Sequence, residues 1–439
     1  MFYRPDKRVG ATLENFPRER TWLLPALKAV QEDEGWLSLP SLEAVSAYLR
    51  VPKSEVYGVA THYPDLRLAR PGERIVRVCT GVSCRLRGGV ELLSRLEERL
   101  SLRAGDTSPD GRYTLEEADC LFRCSMAPLV EVDRRCLGRV TEADLDRLIG
   151  PSPSRRPTGP AVHLSKPGSA SAPSCLRLFV GVGSCSESVG ADLLFDSLVE
   201  EVKRQGLQAA VAESGCNGMC YAAPVVELLH EGWPRITLKR LTVGVVSSLV
   251  SALKGGRLPQ GIEAVAWQES SWRSIPGLAH ERFLGAQRRA LIERVGALDP
   301  NDLDGARLQG SYRALARRLE RGDPAALIEE VKASGLQGRG GAYFAAALKW
   351  EACRSAADSP KYLVVNGEEG EPGIFKDRHL MEGDPHRLLE GILLAAFASG
   401  ASRGFIYIHG EARLSARRME TALRSAESAG LLGERILGS

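Results

Sequence analysis

Cys79-Thr-Gly-Val-Ser-Cys84 is followed, 36 residues after Cys84, by Cys120-Leu-Phe-Arg-Cys124-Ser-Met-Ala-Pro-Leu-Val-Glu. The end of that pattern returns as Cys216-Asn-Gly-Met-Cys220-Tyr-Ala-Ala-Pro-Val-Val-Glu. Cys120 to Cys216, Cys124 to Cys220 and Pro128 to Pro224 share one offset of 96 residues, which marks two copies of one domain. In the first copy the pairs are spaced C-x4-C and C-x3-C. Zinc favours C-x2-C pairs, whereas a [2Fe–2S] cluster takes four thiolates at wider, mixed spacings. Cys79, Cys84, Cys120 and Cys124 are therefore candidate cluster ligands, and electron transfer is the expected chemistry. The second copy keeps Cys185, Cys216 and Cys220 as a second candidate site, but the position matching Cys79 falls near Val180. Three thiolates leave that site one ligand short, so its cluster is expected to be absent or labile.

Around these copies the 439-residue chain is long enough for about three domains. Hydrophobic content of 44% with 26% charged residues is that of a globular protein. A net charge of +3 without a basic stripe argues for no nucleic acid as a partner. Residues 391–408 are interrupted by Ser399, Gly400, Ser402 and Arg403 and are not read as a membrane span. The first twenty residues have no apolar signal core, so the expected location is cytoplasmic. Ten cysteines in such a chain point to metal before disulfides; Cys136, Cys175 and Cys353 read as ordinary scattered cysteines.

Five segments are expected: a helical bundle segment over 1–72, a first cysteine domain over 73–150 and a Pro/Ser-rich linker over 151–175. A second copy follows over 176–255, and a different α/β domain over 276–439. Each copy reads as a small α/β sandwich, with strands at 74–78 and 176–180 leading to its cysteines and helices at 89–100 and 191–205. The last segment carries a glycine-rich turn, Ser334-Gly335-Leu336-Gln337-Gly338-Arg339-Gly340-Gly341-Ala342. Its backbone N–H groups could cradle a nucleotide, although such turns are common and this one follows a helix instead of a strand. The strand over 361–365 runs into Asn366-Gly-Glu-Glu-Gly-Glu-Pro372, polar residues at a carboxyl end where open sheets bind ligands.

Together these blocks resemble the NADH dehydrogenase module of respiratory complex I. Residues 1–150 are similar to its small [2Fe–2S] subunit through Gly35-Trp-Leu-Ser38, Glu55 to Thr61, Cys79, Cys84, Arg87-Gly-Gly89 and residues 120–132. Residues 176–439 are similar to the amino-terminal part of the flavoprotein subunit through Ser334 to Phe344, Leu348-Lys-Trp350, Asn366 to Gly373, Lys376-Asp-Arg378, Asp384-Pro-His386 and Gly410-Glu411. Fused forms of this kind also resemble diaphorase subunits of NAD-linked hydrogenases and formate dehydrogenases. The fold implied is α/β: an N-terminal helical segment, two thioredoxin-like ferredoxin domains, and a partial flavin/NADH-binding domain.

The resemblance implies an electron-input subunit of NADH:quinone oxidoreductase type, with a [2Fe–2S] cluster, FMN and NAD(H). Gly335, Gly338, Arg339, Gly340 and Gly341 would line the nucleotide cavity, Lys349, Asn366 and Glu368 would hold FMN, and Phe344 would stack on adenine. Glu369 would be the catalytic residue, beside the nicotinamide. Partners would be other subunits of an NADH dehydrogenase, hydrogenase or formate dehydrogenase complex, and membrane attachment would come only through them, on the cytoplasmic face. The departures are Tyr343 and Ala352, where the family has a glycine and an aromatic. The family also continues past Ser439, so a downstream polypeptide completing the flavin domain is expected, and the chain alone should oxidise NADH poorly. The alternative is a non-catalytic ferredoxin-like electron-transfer or assembly subunit.

Overall fold

In the computed structural model, which describes residues 7–150, 176–258 and 260–438, helices and strands gather into two compact units. One contains residues 7–119, 130–135 and 140–150. The other contains 120–129, 136–139 and the described residues from 176 onward. The linker expected over 151–175, with Cys175, lies outside the described residues.

The first unit begins with helices Lys7–Leu13, Leu23–Glu34, Leu39–Leu49 and Lys53–His62. Leu23, Leu27, Val30, Leu42, Val45, Leu49 and Val56 recur at helical spacing and close one core. Gly35 ends the second helix at φ 83°, a conformation that favours glycine, and the Ser38 hydroxyl caps the third by accepting the Ser41 N–H at 3.2 Å. Strand β1 (Arg74–Cys79) then pairs in parallel with β2 (Tyr113–Ala118) and antiparallel with β3 (Leu129–Val132). The helix Gly89–Leu100 buries Leu92, Leu93 and Leu96. A Cβ on Gly89 would stand 2.6 Å from the Cys79 carbonyl oxygen and 2.9 Å from that of Cys84. Only glycine lets this helix start so close to the cysteine backbone. A short strand, β4 (Arg135–Gly138), follows β3.

The second unit repeats that design. Strands β5 (Leu176–Gly181), β6 (Ala209–Ser214), β7 (Val226–Leu229), β8 (Ile236–Leu238) and β9 (Ala264–Ala266) form a sheet of order β6-β5-β7-β8-β9. β5 is parallel to β6 and antiparallel to β7, as β1 is to β2 and β3. Helices Ala191–Gln205 and Val246–Lys254 contribute Leu194, Leu198, Val202, Leu249 and Val250 to the core of this sheet. β9 lies past residue 255, and its three small residues carry no periodic signal in the sequence.

Further along, β10 (Tyr362–Gly367) and β11 (Arg403–Ile408) form a parallel pair joined through helices Asp377–Gly383 and Pro385–Ser399. Leu389, Met381, Met419 and Ala422 pack behind them. The opposite face of the pair leaves Tyr362, Val364, Phe405 and Tyr407 exposed. Among the described residues no helix is long and apolar enough to cross a membrane.

Candidate functional site

Strand ends carry the cysteines. Cys79 closes β1 and Cys84 sits on the short helix Val82–Arg85; both are buried, and Thr80 next to Cys79 donates to Glu117 Oε1 at 2.6 Å. Cys120 and Cys124 are half-buried in the second unit, with their sulfurs 3.8 Å apart. The Phe122 N–H points at the Cys120 sulfur at 3.3 Å, and Phe122 takes φ 52° to do so.

Cys216 repeats the device, since the Gly218 N–H lies 3.3 Å from its sulfur. The loop is held by a buried acid at the end of its motif. Glu227 accepts from Asn217 Nδ2 at 2.9 Å, Thr237 Oγ1 at 2.7 Å and Arg235 Nε at 3.0 Å, while Asn217 Oδ1 accepts the Met219 N–H. Glu131 is the matching acid of the first copy, buried and paired with Arg77 at 3.3 Å. The neighbouring Cys220 thiol together with burial pushes the Cys185 thiol well above its usual range. For Cys220 the Cys185 thiol acts downward, but that of Cys216 and burial outweigh it. Among the described residues no three His, Cys, Asp or Glu side chains group as a site for a single metal ion.

The glycine turn spans the gap between helices Pro324–Ala333 and Ala346–Ser355 and is pinned by Gly338 N–H to Phe344 O at 2.8 Å. Cβ atoms on Gly335, Gly340 and Gly341 would meet nothing within 4 Å. The fold itself therefore does not demand glycine for space there, and the turn stays open to a ligand. Lys349 and Arg339 stand exposed beside it without a carboxylate partner among the described residues, and Lys349 Nζ lies 5.7 Å from the centre of the half-exposed Phe344 ring. Tyr343, at φ 50°, adopts the backbone shape a glycine would and turns its ring to solvent, 60% exposed. Asn366 Oδ1 accepts the Glu368 N–H at 3.1 Å, and Glu368 lies 4.0 Å from His409.

Glu369 is placed differently. It is buried, and its carboxylate accepts the N–H groups of Lys376 (2.5 Å), Asp377 (2.6 Å) and Arg378 (3.2 Å), the first turn of helix Asp377–Gly383. Arg378 in turn donates to Phe122 O and, at 2.5 Å, to Ile374 O. The Phe122 ring packs on His409 with centroids 4.0 Å apart. A small cavity lies here, walled by Phe122, Arg123, Ser184, Glu369, Arg378 and His409 among others. Further down the same helix, burial holds the His379 imidazole below the ordinary value, and the Gly383 backbone lies so close to Gly215, the residue before Cys216, that a Cβ there would collide with it. Buried Glu382 accepts from the Ser184 N–H at 2.9 Å, the Ser184 hydroxyl and Ser415 Oγ at 3.1 Å. One helix thus touches both C-x3-C loops. Sequence reading noted Arg378 only as part of a motif and missed Glu382, whose partners are distant in the chain; its signal is an acid between two apolar-facing turns.

Residues 9–151 match the family described as thioredoxin-like [2Fe–2S] ferredoxin, and residues 331–436 match the Nuo51 FMN-binding domain. Each match covers a third of the chain or less. One NADH-quinone oxidoreductase subunit of Rhizobium meliloti (strain 1021) is 46% identical over 149 residues, 34% of this chain and 35% of that protein. Mitochondrial NADH dehydrogenase [ubiquinone] flavoprotein 1 of Dictyostelium discoideum is 44% identical over 139 residues, 31% of this chain and 29% of that one. The HndC subunit of the NADP-reducing hydrogenase of Solidesulfovibrio fructosivorans is 40% identical over 153 residues, 35% and 31% of the two chains. This chain therefore spans about a third of the length of the curated relatives it matches. In fold it resembles NAD+-reducing [NiFe]-hydrogenase in the air-oxidized state, with a TM-score of 0.50 at 20% identity over 94% of this chain and 50% of that one. The resemblance of the Nuo51 portion to complex I flavoproteins, read first from its motifs, stands on these matches.

Proposed function

We propose that the chain is an electron-input subunit of an NADH-oxidising flavoprotein complex. The observation that carries this is the helix Asp377–Gly383, which starts at the strand-end segment after β10 and reaches both cysteine loops, through Arg378 to Phe122 O and through the Gly383 backbone to Gly215, the residue before Cys216. FMN, when bound, would take a hydride from NADH and release its electrons singly. The chain's own residues supply position and charge. Gly335, Gly338, Gly340 and Gly341 keep the turn open, Arg339 and Lys349 offer cations for phosphate, Phe344 offers a face for adenine, and Asn366 and Glu368 line the strand end. Glu369 acts as a positioning residue, since its carboxylate is engaged in ordering the 376–378 turn. Cys79, Cys84, Cys120 and Cys124 are the ligands we assign to a [2Fe–2S] cluster. The finer fold reading, two thioredoxin-like domains before a flavin domain with the boundaries given above, belongs to the same proposal, supported by the shared order of β2-β1-β3 and β6-β5-β7.

Partner subunits are those of a complex I-like, hydrogenase or formate dehydrogenase assembly. Location is cytoplasmic, with any membrane contact made through them. Tyr343, where the family has a glycine, turns its ring to solvent and leaves the turn open, which favours this reading over the non-catalytic alternative. The test is flavin binding by the full chain, read as quenching of FMN fluorescence. Lys349→Ala should weaken binding about tenfold, the loss of one charge-assisted phosphate contact worth roughly 1.5 kcal/mol. Absence of quenching by the unaltered chain refutes the flavin assignment.

A further inference from the structure

We infer that the second cysteine copy carries no cluster and serves instead as the seat for the loop that holds Cys120 and Cys124. Strand register aligns the copies residue by residue. Cys79 pairs with Ala118, two before Cys120, and Gly181 pairs with Ser214, two before Cys216. The Thr80 N–H bonds Ala118 O at 2.9 Å, and the Val182 N–H bonds Ser214 O at 2.9 Å. Gly181, not Val180, is therefore the counterpart of Cys79. A Cβ there would lie 2.8 Å from Val225 Cγ2, the methyl of a buried, rotationally stiff side chain, so the space for a ligand is filled.

The same register carries the short helix Val82–Arg85 onto Ser184–Glu187, which sets Ser186 in the place of Cys84 and Cys185 in the place of Ser83. Ser186 is fully engaged within its loop, donating to Gly181 O at 2.7 Å and accepting the Gly183 N–H at 2.8 Å. Both members of the first pair are thus lost from their positions, and Cys185 stands one residue off, on a different side of its helix.

What the second copy meets instead is the loop that holds Cys120 and Cys124, through backbone carbonyls beside its own cysteines. The same segment is tied down by Arg123 Nε to Ser184 O, Arg139 Nη2 to Cys220 O and Gly138 N–H to Ser188 O, each at 2.8 Å. The copy that seats the loop is itself fixed to the flavin-domain helix by Ser184 and Glu382, and by Gly215, whose Cβ would lie 2.3 Å from Gly383 Cα. The cysteine-bearing segments of the second copy thus act as the support for the loop next to Cys124.

The inference rests on the proposed [2Fe–2S] cluster in the first copy, and the experiment separates the two. Iron and acid-labile sulfide are measured in the full chain after anaerobic reconstitution with ferrous iron and sulfide. Two irons per chain are expected. The triple variant Cys185→Ala/Cys216→Ala/Cys220→Ala should keep both irons, and Arg139→Ala, at an exposed position, should shift the electron paramagnetic resonance g-values of the reduced protein. Four irons per chain, or loss of iron from the triple variant when circular dichroism shows it folded, overturns the inference. Unshifted g-values in Arg139→Ala overturn the seating role. A chain without iron overturns the first-copy assignment as well, whereas iron that survives Cys120→Ser but not the triple variant would place the cluster in the second copy and sink both.

Discussion

Replacing Glu227 by alanine should loosen the second copy by about 3 kcal/mol, because it strands three donors around one buried acid. Asn217 Nδ2, Thr237 Oγ1 and Arg235 Nε all point at this carboxylate, which is 1% exposed. Removing one partner of a buried ion pair costs roughly 3–5 kcal/mol, most of it from the charge left behind. Here the stranded groups keep other partners. Arg235 still donates to Val295 O at 2.9 Å and lies 4.0 Å over the Trp267 ring, and Thr237 still accepts from Trp267 Nε1 at 2.8 Å. Those contacts place the loss at the lower end of the range. Glu227→Gln keeps an acceptor oxygen and should cost about 1–2 kcal/mol. Hydrogen exchange measured by mass spectrometry on peptides covering β5 and β7 reads the local stability directly. At about 1.4 kcal/mol per factor of ten, alanine should speed exchange roughly a hundredfold and glutamine about tenfold. Exchange in Glu227→Ala within threefold of the unaltered protein would show that the network does not hold the loop, and the reasoning from unsatisfied donors would fail.

Gly215→Ala should destabilise by about 1–3 kcal/mol, since its methyl group meets the Gly383 backbone and not a side chain that could move; thermal unfolding checks it. Burial lowers His386, whose Nδ1 meets Tyr312 at 2.9 Å, to about 4. Between about 6.5 and 4 the unfolded chain then binds a proton that the folded one does not, so stability present at neutral pH is lost as pH falls through that window, by about 3 kcal/mol for this residue. His386→Gln should flatten that part of the stability profile, and an unchanged slope would locate the acid sensitivity elsewhere. Tyr343→Gly should be neutral or slightly stabilising, because φ 50° is costly for tyrosine and its ring is exposed. A marked loss of stability would mean that the ring makes contacts the fold needs.

Much of the frame was legible because it is local. The strand that ends at Cys79, the helix that starts at Gly89 and the break at Gly35 each follow from periodicity and from glycine's freedom over a few residues. The 96-residue offset also held at the level of hydrogen bonds, in the matched N–H groups on Cys120 and Cys216 and in the paired acids Glu131 and Glu227. Register was harder. Cysteine spacing alone set the counterpart of Cys79 near Val180, one residue off, and a slip of one in a strand moves a side chain to the other face. Glu382 and the contacts of Arg123 and Arg139 were invisible for another reason, since their partners lie tens to hundreds of residues away and no period links them. On the inference that the second copy carries no cluster, a cysteine count overstates the chemistry. What both retain, the acid after the proline and the N–H at the third residue of the C-x3-C loop, is what builds the loop. What differs, Cys79 against Gly181 and Cys84 against Ser186, is what a metal would need. A repeat can keep its architecture under selection for packing while its ligands drift, so the informative positions are those where the first copy spends a thiol and the second has filled the space.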